Sequence, residues 1–390
     1  MNPVEEQINT PDVIEAPLAP KRSRMQEFRR MLAQNRLAAL GFFIFFLFFC
    51  CAVTGLVLTS GSNPVFDPAM IRLEEKLRPP MSKPNLKALR SDQVPVLNLY
   101  FMGTDDLGRD VFARMLQGAW VSLTVGFVAV GISVLIGIFM GGMAGYFGQH
   151  HIKTVHILFF LCLIGGTGLM IANFTVIGSV MLLLCPAYIF YSLLTRHGST
   201  EKETPALTAM LHSNAVSVDT LIMRIVDIML CFPSFFLILT VVALLPASIY
   251  NIMIVIGLTS WMGTTRFVRA EFLSLREQDF VAAAKALGIG NFRIIFRHIM
   301  PNAVAPVLVS ATIGIASAIL TEAGLSFLGF GVPPPHATWG NILSDGKNFI
   351  FDAPWLTFIP GIAILIVVLS FNLFGEGLRD ILNPKLRERH

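Results

Sequence analysis

Charged residues and cysteines are scarce in this chain. Asp, Glu, Lys and Arg make up 14% of its 390 residues, whereas hydrophobic residues make up 54%, and the mean hydropathy is +0.67. This composition excludes an ordinary soluble domain and is typical of a multi-pass membrane protein. The five cysteines all fall in apolar runs without a C-x-x-C pair, which excludes the usual redox and zinc motifs. They are Cys50, Cys51, Cys162, Cys185 and Cys231.

Motifs for catalysis, nucleotide binding and nucleic-acid binding are also missing. The sequence has no G-x-S-x-G or H-E-x-x-H pattern. Residues 340–347, GNILSDGK, have one residue too many between their glycines for a phosphate-binding loop, and Asn348 stands where Ser or Thr would bind magnesium. No basic patch carries interleaved aromatic residues. We therefore expect a non-enzymatic chain that binds no cofactor, metal or nucleic acid.

Long apolar runs predict an all-α membrane protein, because crossing the hydrocarbon takes roughly 20 helical residues. Residues 155–194 contain no Asp, Glu, Lys or Arg and as one helix would be about 60 Å long, so they must fold into a hairpin. The predicted segments are a tail (1–36), a first span (37–58), an outer segment (59–118), a second span (119–148), a hairpin with its loop (149–218), further spans (219–378) and a second tail (379–390).

Basic residues predict the orientation of these segments. Lys and Arg are concentrated before the first span, after the last one and between residues 266 and 302, so these regions should be cytoplasmic, as should both termini. A long loop can be exported regardless of charge, and the six prolines between residues 64 and 95 predict an extended, loosely structured outer segment that ends in a short helix. Gly137, Gly141 and Gly145 in the second span favour close helix packing.

The basic segment at residues 266–302 predicts a helical elbow. Helix-forming residues run from Glu277 to Leu287, and Gly288 offers the left-handed conformation that ends a helix. Asn291 is predicted to cap a second short helix, which Pro301 should stop before the membrane is entered again. The elbow could be an ordinary interfacial loop or a docking site for a cytoplasmic partner.

Three ionisable residues inside predicted spans are further candidates, because a charge in hydrocarbon is costly. Arg224 and Asp227 are three apart on one predicted helix, over about residues 221–245, and are expected to pair with each other. Glu322, in the span over about residues 303–330, could face a watery path or bond to a neighbouring helix.

Four stretches resemble one family. The A-A-A-x-x-x-G and I-x-x-H-I-x-P-N spacing of residues 282–302 resembles the coupling loop of the permease subunits of bacterial ABC importers. Residues 103–118, 223–233 and 322–340 resemble the C-type permease of the dipeptide, oligopeptide and nickel importers. The resemblance implies a type I importer permease fold in the bacterial inner membrane, with about six core spans and, here, an inserted two-helix hairpin.

The resemblance also implies partners and site residues. A homologous B-type permease, two cytoplasmic ATP-binding subunits that hold ATP and magnesium, and an extracytoplasmic binding protein would assemble with this chain in the lipid bilayer. The implied coupling residues are Asp279, Ala282, Ala283, Ala284, Lys285, Gly288, Arg293, His298, Pro301 and Asn302, and the implied outer motif is Gly103, Asp105, Gly108, Arg109 and Asp110. The outer motif could contact the binding protein or simply pin the helix of the second span.

The sequence departs from the family twice. Ala282 stands where the coupling loop usually begins with Glu, and the hairpin is inserted where the family runs almost directly into the helix of residues 223–233. Two alternatives remain: a proton-coupled secondary transporter that uses Glu322 or Asp227, and an assembly subunit without a transport path. The expected cargo is a peptide, with nickel or another small solute next.

Overall fold

The computed structural model describes residues 36–61, 64–90, 93–153 and 214–382. The predicted tails, apart from Arg36 and residues 379–382, and most of the inserted hairpin lie outside these residues. The helices are α1 (Arg36–Thr59), α2 (Val111–Phe147), α3 (Val218–Leu230), α4 (Ser234–Leu244), α5 (Ile249–Arg276), α6 (Asp279–Ala286), α7 (Asn291–Arg293), α8 (Met300–Phe327), α9 (Trp339–Gly346) and α10 (Trp355–Leu382). A π-helical segment, Ile294–Ile299, joins α7 to α8, and 3-10 turns occupy Leu73–Glu75 and Lys347–Phe349.

Four described helices are long and apolar enough to cross a membrane, namely Arg36–Thr59, Val111–Phe147, Pro306–Phe327 and Trp355–Arg379. Helices α3 and α4 meet the same test as a pair, but the pair is bent by 80°. The span predicted at about residues 221–245 is therefore two short helices with a sharp bend between them, which form either one broken span or a re-entrant loop. Pro233 lies at the break, where its ring cannot continue a helix and it has no N–H to donate.

Helix α2 is the centre of the bundle and packs most extensively on α5. A side chain at Gly141 would put its Cβ 2.6 Å from the backbone oxygen of Thr265. The spaced glycines Gly137, Gly141 and Gly145 therefore allow the two helix backbones to lie close together. The main hydrophobic core joins these helices to α8 and α10 and includes Val125, Ile256 and Ile319. α2 also begins at Val111 rather than Ala119, so the boundary predicted at residue 118 falls inside a continuous helix.

The outer segment is not loosely structured as predicted. Glu75 is fully buried and accepts hydrogen bonds from Arg78 Nε (2.8 Å) and the Asn85 amide (2.7 Å). Burial raises the pKa of the Tyr100 phenol to about 12, and Trp355 Nε1 donates to the Thr104 carbonyl (3.2 Å). The prolines set the chain's path, but these buried polar contacts fold the segment onto α2 and α10.

Two short strands lie where the insertion leaves and rejoins the bundle. Strand β1 (His151–Lys153) pairs antiparallel with β2 (Asn214–Ser217), with Lys153 opposite Asn214. Both ends of the intervening segment therefore lie side by side at the cytoplasmic end predicted for α2. This pairing is compatible with an insertion whose two ends lie on one side of the membrane.

Candidate functional site

The elbow, residues 277–302, is almost entirely helical. Helix α5 extends to Arg276, so Arg266 and Arg269 lie on this helix rather than in a loop. α6 begins at Asp279, whose negative charge suits a helix N-terminus. Gly288 has the left-handed φ of +72° that the sequence predicts, and its N–H donates to the Lys285 carbonyl at 2.9 Å. The only non-helical parts between α5 and α8 are residues 277–278 and 287–290.

The second arm of the elbow differs from its prediction. Gly290 is the N-cap of α7, and Asn291 makes no side-chain cap. Pro301 does not stop the helix: it is the second residue of α8, which directly continues the π-helical segment. α7, the π-helical segment and α8 therefore form one uninterrupted helical path out of the elbow. His298 accepts a 2.7 Å hydrogen bond at its carbonyl from Asn302 Nδ2.

One face of the elbow is buried against the bundle. Val281, Ala284, Ile294 and Ile299 have exposures of 4% or less and pack in a core cluster with Phe272. This cluster includes residues of α2, α5 and α8. Because packed interiors resist deformation, a push on the elbow would be passed to those three helices.

The opposite face is exposed and mixes apolar with basic side chains. Leu287 is 80% exposed, Phe292 is 75% exposed and Phe296 is 53% exposed, and the two phenylalanine rings lie 4.4 Å apart. Other exposed residues of the elbow include Ala282, Ala283, Lys285, Arg293 and Arg297. Apolar anchors surrounded by charge are typical of a protein-binding surface.

Tyr146, near the end of α2, connects this elbow to the bundle. Its hydroxyl donates to Asn291 Oδ1 at 2.8 Å, and the Lys285 ammonium lies 5.9 Å from the centre of its ring. Arg276 donates to the backbone oxygens of Gly145 (3.3 Å) and Tyr146 (3.5 Å). Tyr146 was not among the residues predicted from the sequence, and the only local signal for it is its place directly after Gly145, the last of the three spaced glycines.

The outer motif is the centre of a buried ion network. Asp105 has no exposed side-chain surface and accepts from Arg109 Nε (2.7 Å) and Arg114 Nη1 (2.6 Å). Both arginines also reach Asp345 of α9, at 3.1 Å and 2.9 Å. Arg114 and Asp345 were missed, because residues 231 positions apart leave no local pattern. The network ties the start of α2 to α9.

Asp110 and the two glycines of the motif shape the entry to α2. Asp110 is the N-cap of α2 and accepts from the Phe112 amide at 2.9 Å. Burial raises the pKa of its carboxyl, although this hydrogen bond and the Arg72 charge oppose the shift. Gly103 and Gly108 have φ of +79° and +73°, and a Cβ on Gly108 would lie 1.8 Å from the Arg72 carbonyl. These contacts fit the second of the two roles expected for the outer motif, which is to fix the start of the second span.

Arg224 and Asp227 do not pair with each other as predicted. Asp227 instead forms a 2.6 Å ion pair with Arg266 of α5. A second pair that the sequence did not indicate, Asp219 with Arg269, joins the same two helices, and its second contact measures 2.6 Å. Because α3 packs on α5, carboxylates on α3 meet arginines of the neighbouring helix. Arg224 is exposed and makes no ion pair within the described part of the chain.

Glu322 has no exposed surface and is hydrogen-bonded both within its own helix α8 and to the neighbouring helix α2. Its carboxylate accepts from Ser326 Oγ at 2.7 Å and from Ser122 Oγ of α2 at 3.3 Å. Of the two environments that the sequence left open, the structure shows the buried, hydrogen-bonded one.

The sequence of this chain matches a known family. The sequence model described as "Binding-protein-dependent transport system inner membrane component" matches residues 204–388. The dipeptide transport system permease protein DppC of Alkalihalophilus pseudofirmus is 34% identical over 365 residues, which cover 94% of this chain and 91% of that protein. The chain belongs to the permeases of binding-protein-dependent ABC importers.

Two further relatives of this permease have related names. The oligopeptide transport system permease protein OppC of Bacillus subtilis is 33% identical over 300 residues, or 77% of this permease and 76% of that protein. The di/tripeptide transport system permease protein DppC of Pseudomonas aeruginosa is 31% identical over 367 residues, or 94% of this permease and 93% of that protein. The all-helical type I permease fold and the inner-membrane family predicted from the sequence are confirmed.

Proposed function

We propose that this permease forms half of the path of a peptide importer and transmits ATP-driven movement from cytoplasmic ATPases through its elbow. The observation that carries the proposal is the two-sided elbow. Its inner face packs on α2, α5 and α8, whereas its outer face exposes Leu287, Phe292 and Phe296. A groove on an ATP-binding subunit would receive these apolar anchors, and acidic groups there would meet the basic residues around them.

The partners and orientation follow from this role. A homologous B-type permease completes the path, two ATP-binding subunits hold ATP and magnesium, and an extracytoplasmic binding protein delivers the solute. Both termini and the elbow face the cytoplasm, and the outer segment faces the binding protein. Closure of the ATPase dimer would move the elbow and shift the permeases between inward-facing and outward-facing states. Peptides are the proposed cargo because the relatives are named for peptide transport.

Elbow docking is tested by purifying the tagged full chain from its native membrane in mild detergent. The variant Leu287→Asp places a charge in the exposed apolar face without touching the buried one. The matched control is Phe351→Asp, because Phe351 is 97% exposed between α9 and α10, away from the elbow. The purified proteins are identified and quantified by mass spectrometry.

The proposal predicts that wild type and Phe351→Asp both recover a second permease and ATP-binding subunits. Leu287→Asp should keep the second permease and lose at least about 90% of the ATPases, since a buried unpaired charge costs several kcal/mol. Recovery of the wild-type chain without any ATPase would contradict the proposal, as would equal ATPase recovery in all three samples.

A further inference from the structure

A groove of about 260 Å³ lies between α2, α5 and α8. Six hydroxyl side chains line it: Ser133, Ser260, Thr264, Ser310, Ser317 and Thr321. Its other lining residues are apolar or glycine, and none of the lining residues is Asp, Glu, Lys, Arg or His. The groove is therefore polar but carries no charge of its own.

The six hydroxyls differ in their hydrogen bonds. Ser260 and Thr321 donate to backbone oxygens one turn earlier, at 2.6 Å and 2.8 Å. Within the described part of the chain, Ser133, Thr264, Ser310 and Ser317 make no hydrogen bond. Ser133 and Thr264 are only 4% and 7% exposed, yet neither hydroxyl is among the fully buried unpaired side-chain atoms. The surface that these hydroxyls keep therefore opens into the groove, where whatever fills the groove can bond to them.

The groove lies near the middle of its three helices. Ser133 is near the centre of α2, Thr264 is near the centre of α5, and Ser310 to Thr321 occupy the middle and outer half of α8. Hydroxyls at such positions can bond either to a neighbouring helix or to a solute between the helices. The buried cluster beneath the elbow includes Ala303 and Val307 of α8. Helix α8 also lines the groove, so this helix links the groove to the elbow.

We propose that this groove is a binding surface for the neutral backbone of the transported peptide, and that it does not read the charge of the peptide's side chains. The inference rests on the proposed function and deepens it. A hydroxyl both donates and accepts, so it can bond to a backbone C=O or N–H in either chain direction. A formal charge at the groove would instead favour peptides of opposite charge, and no lining residue supplies one.

A helix of the second permease is the competing occupant, because Ser and Thr also bond across helices in membranes. Such a helix would meet the groove's exposed rim, where Ile313 is 43% exposed. The backbone N–H and C=O groups of such a helix are already bonded within the helix, so they are not free for Ser133 and Thr264. An extended peptide presents free backbone groups along its length.

The test uses the complete importer with its binding protein in proteoliposomes. Uptake of three probes is measured at several concentrations: Ala-Ala-Ala, Ala-Lys-Ala and Ala-Glu-Ala. Wild type should carry all three with similar maximal rates. Ser317→Asp should slow Ala-Glu-Ala about tenfold relative to Ala-Lys-Ala, because a carboxylate a few ångströms from the path repels an anionic peptide.

A second variant keeps the shape of the groove and removes one hydroxyl. Thr264→Val should lower the maximal uptake rate of all three probes about fivefold, as expected for one lost hydrogen bond in the path, without changing their order. The KM should stay the same, because the binding protein captures the peptide. The control is Ser248→Asp. Ser248 caps the start of α5, Asp also caps helices, and the position is about 18 Å along the helix from Ser260. This control should behave as wild type.

Each outcome decides between the occupants. Unchanged selectivity in an assembled Ser317→Asp complex, or an unchanged maximal rate in Thr264→Val, would overturn the inference while leaving the proposed function intact. Loss of the second permease from both variants would overturn it in favour of a helix-packing surface. A wild-type importer that carries none of the three probes would contradict the proposed function, and the inference with it.

Discussion

The hydroxyl of Tyr146 donates a 2.8 Å hydrogen bond to Asn291 Oδ1. This bond joins the end of the central helix α2 to the first residue of α7 in the elbow. With the adjoining Lys285 and the buried face of the elbow, it fixes the position of the proposed ATPase-docking surface relative to the transport path. Movement of one should therefore require movement of the other.

Tyr146→Phe is expected to weaken this connection while leaving the fold intact. Because Asn291 is exposed and can bond to water instead, the lost bond should cost only about 1 kcal/mol. We expect the full complex to assemble, with peptide uptake per ATP hydrolysed falling about two- to fivefold. Tyr250→Phe is the matched control, since Tyr250 is 71% exposed at the other end of α5. An unchanged ratio in Tyr146→Phe would show that the bond plays no part in coupling.

Arg114→Leu should destabilise the outer end of the bundle strongly. It leaves the fully buried Asp105 with one of its two cations removed, and breaking a buried ion pair costs about 3 to 5 kcal/mol. Asp345→Asn should cost less, because the Asp345 side chain is 34% exposed and an amide still accepts a hydrogen bond. Thermal unfolding of the purified protein in detergent gives both values. Equal midpoints for Arg114→Leu and wild type would contradict the network's structural role.

Asp110 should make stability fall as pH rises. Burial raises its pKa above the ordinary 3.8, so the folded state binds the proton more tightly than the unfolded state. Its contribution is then most favourable at low pH and is reduced as pH rises above 3.8 through the raised pKa. Asp110→Asn keeps an N-cap without a titrating group, so it should gain stability relative to wild type between pH 4 and pH 7, as unfolding midpoints would show.

Asp110→Ala separates the cap from the charge. Alanine cannot accept the Phe112 amide hydrogen bond, and loss of an N-cap typically costs about 1 kcal/mol. At pH 4 and at pH 7, we expect a lower unfolding midpoint for Asp110→Ala than for Asp110→Asn. Equal midpoints for these two variants would show that the cap contributes nothing.

The features that sequence predicted best are local ones. The φ of Gly288 and the role of Asp110 as a helix cap depend on a few neighbouring residues, and apolar length alone indicates α1 and α10. The elbow was located by its charge, its helix formers and its family resemblance. Its continuity with α8 was missed because a proline usually marks the end of a helix, whereas here the helical path continues through Pro301 directly after a π-helical segment.

Long-range pairings could not be predicted in this way. Asp227 pairs with Arg266, 39 positions away, although Arg224 lies one turn from it on its own helix. The choice depends on how α3 packs against α5, which no local spacing reveals. The same holds for the bond between Tyr146 and Asn291, and for Arg114 with Asp345.

That ATP drives peptide import through this permease is tested most directly by peptide uptake into proteoliposomes that contain the complete importer. The account predicts that uptake requires internal ATP, is lost in Leu287→Asp, and is unaffected by a proton ionophore. Glu322→Gln should carry peptide with the same ATP dependence as wild type, because Glu322 is buried in hydrogen bonds to Ser122 and Ser326. Uptake without ATP that collapses with the ionophore or in Glu322→Gln would contradict the account and favour a proton-coupled transporter.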